Sequence, residues 1–389
     1  STAAMRKPMA RQKRRSKIDM AAVLTIGTLL LATGYGDFFV PENSSSGGSN
    51  SGSGDYVYVA NQTTGTLAAY SVGSGTLAAI SGSPYSLGFA PNAVAVNPAN
   101  TIVFVAGVNS SIGYIDAFSI GSNGSLSLLA QNNAVLADPI SLDVSPDGQW
   151  LIGLDGNGLT IDEYQINANT GQLTLATGFV YANVPVTPRS LKISPNGNFV
   201  FAAIDTAGDL VFPFNTTNGV LSSPGTLTLP SQVADNALAV SPNGGYLYIA
   251  RSSGPVGSLA VYSVDSGGGL TPTSGSPFAA GSQPFSVVVN SAGTAAYVAN
   301  QLDSNISGYT ISSSGSASAI SGSPFSNTSE PSGLVIDKTG KYLLAISNAG
   351  KPDLTLYSFD STTTGKLNFV SSTSTGTDPT GPISIAATH

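Results

Sequence analysis

The stretch Tyr56–Asn61, Tyr-Val-Tyr-Val-Ala-Asn, returns in altered form at near-constant spacing through the rest of the chain. Relatives of it begin at Ile102 (IVFVAG), Trp150 (WLIGLD), Phe199 (FVFAAI), Tyr246 (YLYIAR), Ala295 (AAYVAN) and Tyr342 (YLLAIS). The steps are 46, 48, 49, 47, 49 and 47 residues. Seven copies of one unit of this length define a repeat architecture, in which each unit buries its apolar face only against its neighbours.

Each unit reads as four short strands. The first follows the pattern of Pro91-Asn-Ala-Val-Ala-Val. It closes in a tight turn such as Pro146-Asp147-Gly148, Pro195-Asn196-Gly197 or Pro242-Asn243-Gly244. Proline presets the turn entrance, and an Asx-Gly pair supplies the positive φ that a hairpin needs. The Tyr-Val-Tyr-Val-Ala-Asn run is the second strand. The third alternates apolar and polar residues, as at 66–72 and 306–311, and a Gly-containing turn leads to a fourth, as at 171–177 and 365–371. No stretch beyond residue 54 sustains the 3.6-residue period of a helix. Four-stranded units of this size stack radially, so the expected fold is an all-β, seven-bladed β-propeller.

Such a ring has to close. The chain enters its first blade at the second strand, Tyr56, and lacks one first-type strand there. Residues 378–387, Asp-Pro-Thr-Gly-Pro-Ile-Ser-Ile-Ala-Ala, carry that strand's pattern with no blade after them. Pairing of residues 383–387 beside 56–60 is therefore expected to join the two ends. Three units end in a Gly-Ser-Pro-aromatic corner, at Tyr85, Phe278 and Phe325, and these aromatic rings are expected to fill gaps between blades.

Charge divides the chain into parts. Residues 1–36 hold seven basic side chains ahead of an apolar run at 20–32, the layout of an export signal. A helix retained for anchoring or assembly is the alternative. The run is short for a membrane span, so membrane contact is expected only through this segment. Residues 37–54 form a Gly/Ser-rich tether that begins with an apolar peg, Asp-Phe-Phe-Val. The domain at 55–389 holds 18 acidic and 7 basic residues, a net charge of −11. An acidic body disfavours nucleic acid as a partner. The chain has no cysteine, which excludes disulfides and thiol catalysis. No cofactor or metal motif is present. Asp155-Gly-Asn157 and Asp303-Ser-Asn305 echo calcium loops without their acidic spacing, and read as Asx turns.

With its Tyr-Val-Ala-Asn second strands and Pro-Asx-Gly turns, the chain from about 55 to 389 resembles the YVTN-repeat and lactonase-like seven-bladed propellers of bacteria, whose better-known enzyme is 6-phosphogluconolactonase. The resemblance implies a site at the channel mouth, where the lactonase branch carries a Pro-Arg-His first strand and an Asn-Glu pair after a neighbouring second strand. The matching stretch here is Pro188-Arg189-Ser190, with serine in the histidine position. The following second strand continues as Ala203-Ile204-Asp205, without Asn-Glu. The single histidine of the chain is the last residue, His389.

Within the first strands, Asp143 and Lys192 occupy the same position on adjacent blades. They read either as an ion pair bridging two blades or, with Arg189, as a polar ligand site. The export-like tail, the Gly/Ser tether, the charge-poor acidic body and the missing base point to an exported, non-catalytic propeller, extracellular or at the cell surface. It would bind a surface glycan or protein, or serve a structural role. One alternative is a lactone hydrolase using Arg189 and Asp143. Another is a filament subunit that docks copies of itself through its N-terminal segment.

Overall fold

The computed structural model describes residues 54–389, apart from 134–135, 158–159, 181–185, 328 and 378–379. The export-signal, tether and self-docking expectations fall on residues 1–53, outside the described ones. Among the described residues the elements are all β-strands, in seven antiparallel sheets. Blade 1 comprises residues 56–86 with Pro382–Ala387 as its innermost strand. Blades 2 to 7 span 90–133, 139–180, 190–227, 233–280, 284–326 and 331–373.

The closure is the expected one. Val57 pairs with Ala387, Tyr58 with Ala386, Val59 with Ile385 and Ala60 with Ser384, antiparallel. Beyond the strand, the Tyr56 amide donates to Thr388 Oγ1 (3.0 Å), and the Thr388 amide donates to the Tyr56 carbonyl. The His389 amide and carbonyl are both held by the Asn100 side chain of blade 2 (2.7 and 2.9 Å).

The repeated run is apolar at nearly every position because both of its faces are buried. Alternate side chains of one strand enter different junctions. Tyr56, Tyr58 and Ala60 pack toward blade 2 with Val94, Val103 and Val105, whereas Val57 and Val59 pack toward blade 7 with Leu344 and Leu356. One such cluster fills each junction around the ring, the closing junction included. Aromatic residues that open the run carry a polar tip across to the outer turn of the next blade. Tyr56 donates to Ser122 O, Tyr246 to Ser313 O, and Trp150 Nε1 to Thr216 O. The turn must make room for the ring: a Cβ on Gly219, at φ +72°, would lie 2.3 Å from the Trp150 indole.

The Pro-Asx-Gly turns form as expected, with Gly148, Gly197 and Gly244 at positive φ. The preceding serine accepts the amide that starts the next strand, as from Trp150 to Ser145 Oγ (2.9 Å). The fourth strand departs from expectation. In blades 1, 4, 5 and 6 two short segments share that lane, whereas blades 2, 3 and 7 have one continuous strand there. Pro84, Pro224, Pro277 and Pro324 lie in the divided lanes, and proline cannot donate to a ladder. At the three Gly-Ser-Pro corners the serine hydroxyl takes the third-strand amide instead, from Ala69, Val261 and Gly308. Tyr85, Phe278 and Phe325 join the inter-blade clusters, so these rings fill the gaps assigned to them.

Next to the closure, the carboxyl group of Asp55 lies against that of Asp337 in blade 7. Burial and this neighbour push the pKa of Asp55 up to about 7. A carboxyl group raised in the folded state stabilises the fold fully at acid pH, and that contribution is lost as the pH climbs through about 7. Asp55→Asn is therefore expected to raise the melting temperature at pH 8 and leave it nearly unchanged at pH 4. Thermal unfolding followed by circular dichroism at both pH values checks this.

Candidate functional site

The innermost strands surround a central channel of about 1070 Å³. An innermost strand is the exposed edge of its sheet, so its outward amides need acceptors. The neighbouring blade supplies them. Ser141 Oγ accepts the Leu191 amide (3.0 Å), Ser286 Oγ accepts from Leu334 (3.1 Å), and Ser384 Oγ accepts from Val94 (3.2 Å). Asp143 belongs to this set: its carboxylate takes the Ile193 amide of blade 4 (2.9 Å) and the Val144 amide (3.1 Å).

Arg189, Lys192 and Asp143 all line the channel, so the structure brings the three sequence candidates into one cavity. They stand at different depths. Arg189 lies at the leading end of its strand, whereas Asp143 and Lys192 sit three positions further in, roughly 10 Å along an extended chain. Among the described residues the ion pairs are Arg189–Asp205 and Arg251–Asp235, so Asp143 and Lys192 are not joined as a bridge.

A polar rim runs around the mouth at the leading ends of the strands. Gln62 donates to Asn92 Oδ1 (2.6 Å), and Asn92 donates to Asp138 Oδ1 (2.8 Å). Asn157 donates to the other Asp138 oxygen (3.3 Å). On blade 4, Arg189 Nε and Nη2 donate to one oxygen of Asp205, at 2.9 and 2.5 Å. No described residue hydrogen-bonds Nη1, and the side chain is 39% exposed. Burial, together with the charge of Asp155, raises the Asp138 pKa above the ordinary carboxylate value, and the Asn92 hydrogen bond only partly offsets this. Asp155 itself takes the Ala137, Asp138 and Asn157 amides, the turn-forming role expected of it.

Asp138, Asn92 and Asp205 were not singled out in the sequence. Asp138 and Asp205 lie just outside the repeated strands, and Asn92 sits in one whose equivalents are Ile140, Arg189 and Phe285. The available signal was positional: Asp138 directly precedes a first-strand proline, as Arg189 directly follows one.

Behind Arg189 lies a buried charge cluster. Arg251 occupies the last position of the repeated run, where other blades have Asn61 or Asn300. It grips Asp235 through Nε (2.6 Å) and Nη2 (2.7 Å) and donates from Nη1 to Tyr262 (3.0 Å). Asp209 is fully buried, its carboxyl group against that of Asp235. Burial and then the Asp235 charge push its pKa well above the carboxylate range. The Asp235 amide donates to the Asp205 carbonyl, which ties this cluster to the partner of Arg189.

The profile of the family described as "Lactonase, 7-bladed beta-propeller" matches residues 210–320 and 277–382. No curated protein matches the sequence. Among solved structures, the periplasmic gluconolactonase of Pseudomonas aeruginosa superposes with a TM-score of 0.71 at 16% identity, covering 86% of this chain and 99% of its own. A candidate 6-phosphogluconolactonase of Bacteroides uniformis gives 0.73 at 17%, with the same coverage. A protein of Lactobacillus plantarum gives 0.72 at 18%, again with 86% and 99% covered. At these identities the structures establish the fold alone. The family match corrects the expectation of a non-catalytic binding or structural module, because what this sequence shares is shared with a lactonase family. The missing histidine and Asn-Glu pair supported that expectation together with the export-like tail, the tether and the charge-poor surface. The polar mouth holds a cation, Arg189, and a partly buried carboxylate, Asp138, without them.

Replacing Arg251 with methionine strands a buried carboxylate beside a second carboxyl group. Arg251→Met is expected to cost roughly 3–5 kcal/mol, measured by urea unfolding at neutral pH.

Proposed function

We propose that this chain, a lactonase-like seven-bladed β-propeller, is a hydrolase that opens lactone rings at the mouth of its central channel. One observation carries the reading. A guanidinium with one nitrogen that no described residue engages and a carboxylate of raised basicity stand at the leading ends of adjacent innermost strands, lining one cavity.

Lactone hydrolysis needs two services. The carbonyl oxygen gains negative charge as water adds, and a preorganised cation stabilises it. Water must also lose a proton as its oxygen bonds to the carbonyl carbon, so a base is required. Arg189 Nη1 donates to the carbonyl oxygen while Asp205 fixes the guanidinium plane through Nε and Nη2. Asp138 accepts the proton of the attacking water. When the ring C–O bond breaks, the departing alkoxide takes that proton and a hydroxy acid is released. Asn92 and Asn157 hold the two Asp138 oxygens and so orient the carboxylate. In this scheme Asp143 has a structural role, because its carboxylate is committed to the amides of Val144 and Ile193.

Proton release from δ-valerolactone, followed in a pH-stat, tests the reading. Arg189→Ala is expected to lower kcat by about 10²–10³ through loss of the oxyanion donor. No turnover by the wild-type chain would remove the proposal.

Asp138 works only when ionised, and its pKa is raised. Activity should therefore rise with pH through a step displaced upward from that of an ordinary aspartate. Asp138→Asn should abolish that step and lower kcat by about 10²–10⁴. An unchanged pH profile in Asp138→Asn would transfer the base role elsewhere.

A further inference from the structure

The channel is not uniform around its circumference. Among the described residues that line it, the acidic and basic side chains Asp138, Asp143, Arg189 and Lys192 belong to blades 3 and 4, and His389 adds an imidazole beyond the innermost strand of blade 1. In a ring of seven, the junction between blades 3 and 4 faces blade 7, flanked by blades 6 and 1. That opposite wall carries Phe285 and Val288 from blade 6, Val335 from blade 7 and Ile383 from blade 1, each half-buried and lining the channel. Its hydroxyls are already engaged: Ser286 and Ser384 cap the amides of Leu334 and Val94, and Ser332 donates to the Pro382 carbonyl. The wall therefore offers apolar surface and little hydrogen-bonding capacity.

The charged wall offers little to a phosphate. A phosphate dianion calls for several uncommitted cationic or amide donors. Arg189 has two of its nitrogens on Asp205, and Asp138 adds a further carboxylate to the same mouth. Deeper in, Lys192 shares its level with Asp143. The lining holds equal numbers of these charges and presents no cationic patch.

We propose that the substrate is a lactone bearing an apolar substituent and no phosphate, its ring at Arg189 and its substituent across the channel on the wall of Phe285, Val288, Val335 and Ile383. This rests on the lactone-hydrolase reading above. Water leaves the apolar wall only when the substituent covers it, so binding strengthens with each methylene that reaches it. A polyhydroxylated ring would lose hydrogen bonds to water there and find few in return.

The test compares kcat/KM for δ-valerolactone, δ-octalactone, δ-decalactone, glucono-δ-lactone and 6-phosphoglucono-δ-lactone by pH-stat, with spontaneous hydrolysis subtracted. Along the alkyl series kcat/KM is expected to climb by up to about fourfold per methylene. It should exceed that of both sugar lactones by about tenfold or more. Val335→Asp should flatten the climb, and Val335→Ile should keep it. If Val335→Asp does not fold, Val288→Thr provides the polar change at similar size. A flat alkyl series, or preference for either sugar lactone, overturns the substrate assignment and leaves the hydrolase reading standing. Failure to turn over any of the five removes both.

Discussion

Everything in this molecule depends on the antiparallel pairing of Pro382–Ala387 with Tyr56–Asn61. A repeat array left open would expose one apolar junction face at each end, and here the two end faces bury each other. The junction so formed holds the same kind of aliphatic and aromatic packing as the six others. Buried side chains reinforce it. Asn61 exchanges hydrogen bonds with Thr375, donating to its carbonyl (3.3 Å) and accepting from its hydroxyl (2.9 Å). The Thr375 amide in turn reaches Asp353 of blade 7 (2.8 Å). Residues more than 300 positions apart in sequence thus satisfy one another in the interior, where an unmatched polar group would be costly.

Closure also creates the channel, and the channel brings its own constraint. Seven innermost strands become seven sheet edges facing one lumen. Much of the polar chemistry inside answers that demand, in the serine and aspartate caps that pass from one blade to the next. Polar groups that cap an edge are not free to act on a ligand. This separates Asp143, which resembles a site residue by its position, from Asp138 and Arg189, which stand beyond the capped ladder at the rim.

The parts legible in the sequence are those that recur. The 46–49-residue period gives the blade number, the orphan strand at the end gives the closure, and the Ser-Pro-Asx-Gly turns give the hairpins. What could not be read depends on partners from different blades. The acceptor role of Asp143 requires the Ile193 amide 50 residues away, and nothing in either residue's local pattern announces it. Asp138 lies in a connection, where side chains have no periodic neighbour to be compared with. The divided outer lanes were readable from Pro84, Pro224, Pro277 and Pro324, but a repeat pattern invites the assumption that every blade is alike. A missing histidine does not by itself exclude a base: proton abstraction requires a suitably basic group within reach, and partial burial can give a carboxylate that property.

The buried Arg251–Asp235 pair then has a reason to exist beyond stability, which such pairs contribute weakly. Asp205, the partner of Arg189, sits just past its strand at φ +53°, in the left-handed region that non-glycine residues seldom occupy. Its carbonyl is held by the Asp235 amide, and the Asp235 side chain is clamped by two nitrogens of Arg251. Strain of this kind persists only where the surroundings over-determine it. The clamp, buried between blades 4 and 5, fixes the backbone that carries Asp205. Asp205 fixes the plane of Arg189. A guanidinium held on one side through two of its nitrogens can present the third to a carbonyl oxygen without first losing conformational freedom, and in that way the interior of the ring would serve the reaction proposed at its mouth.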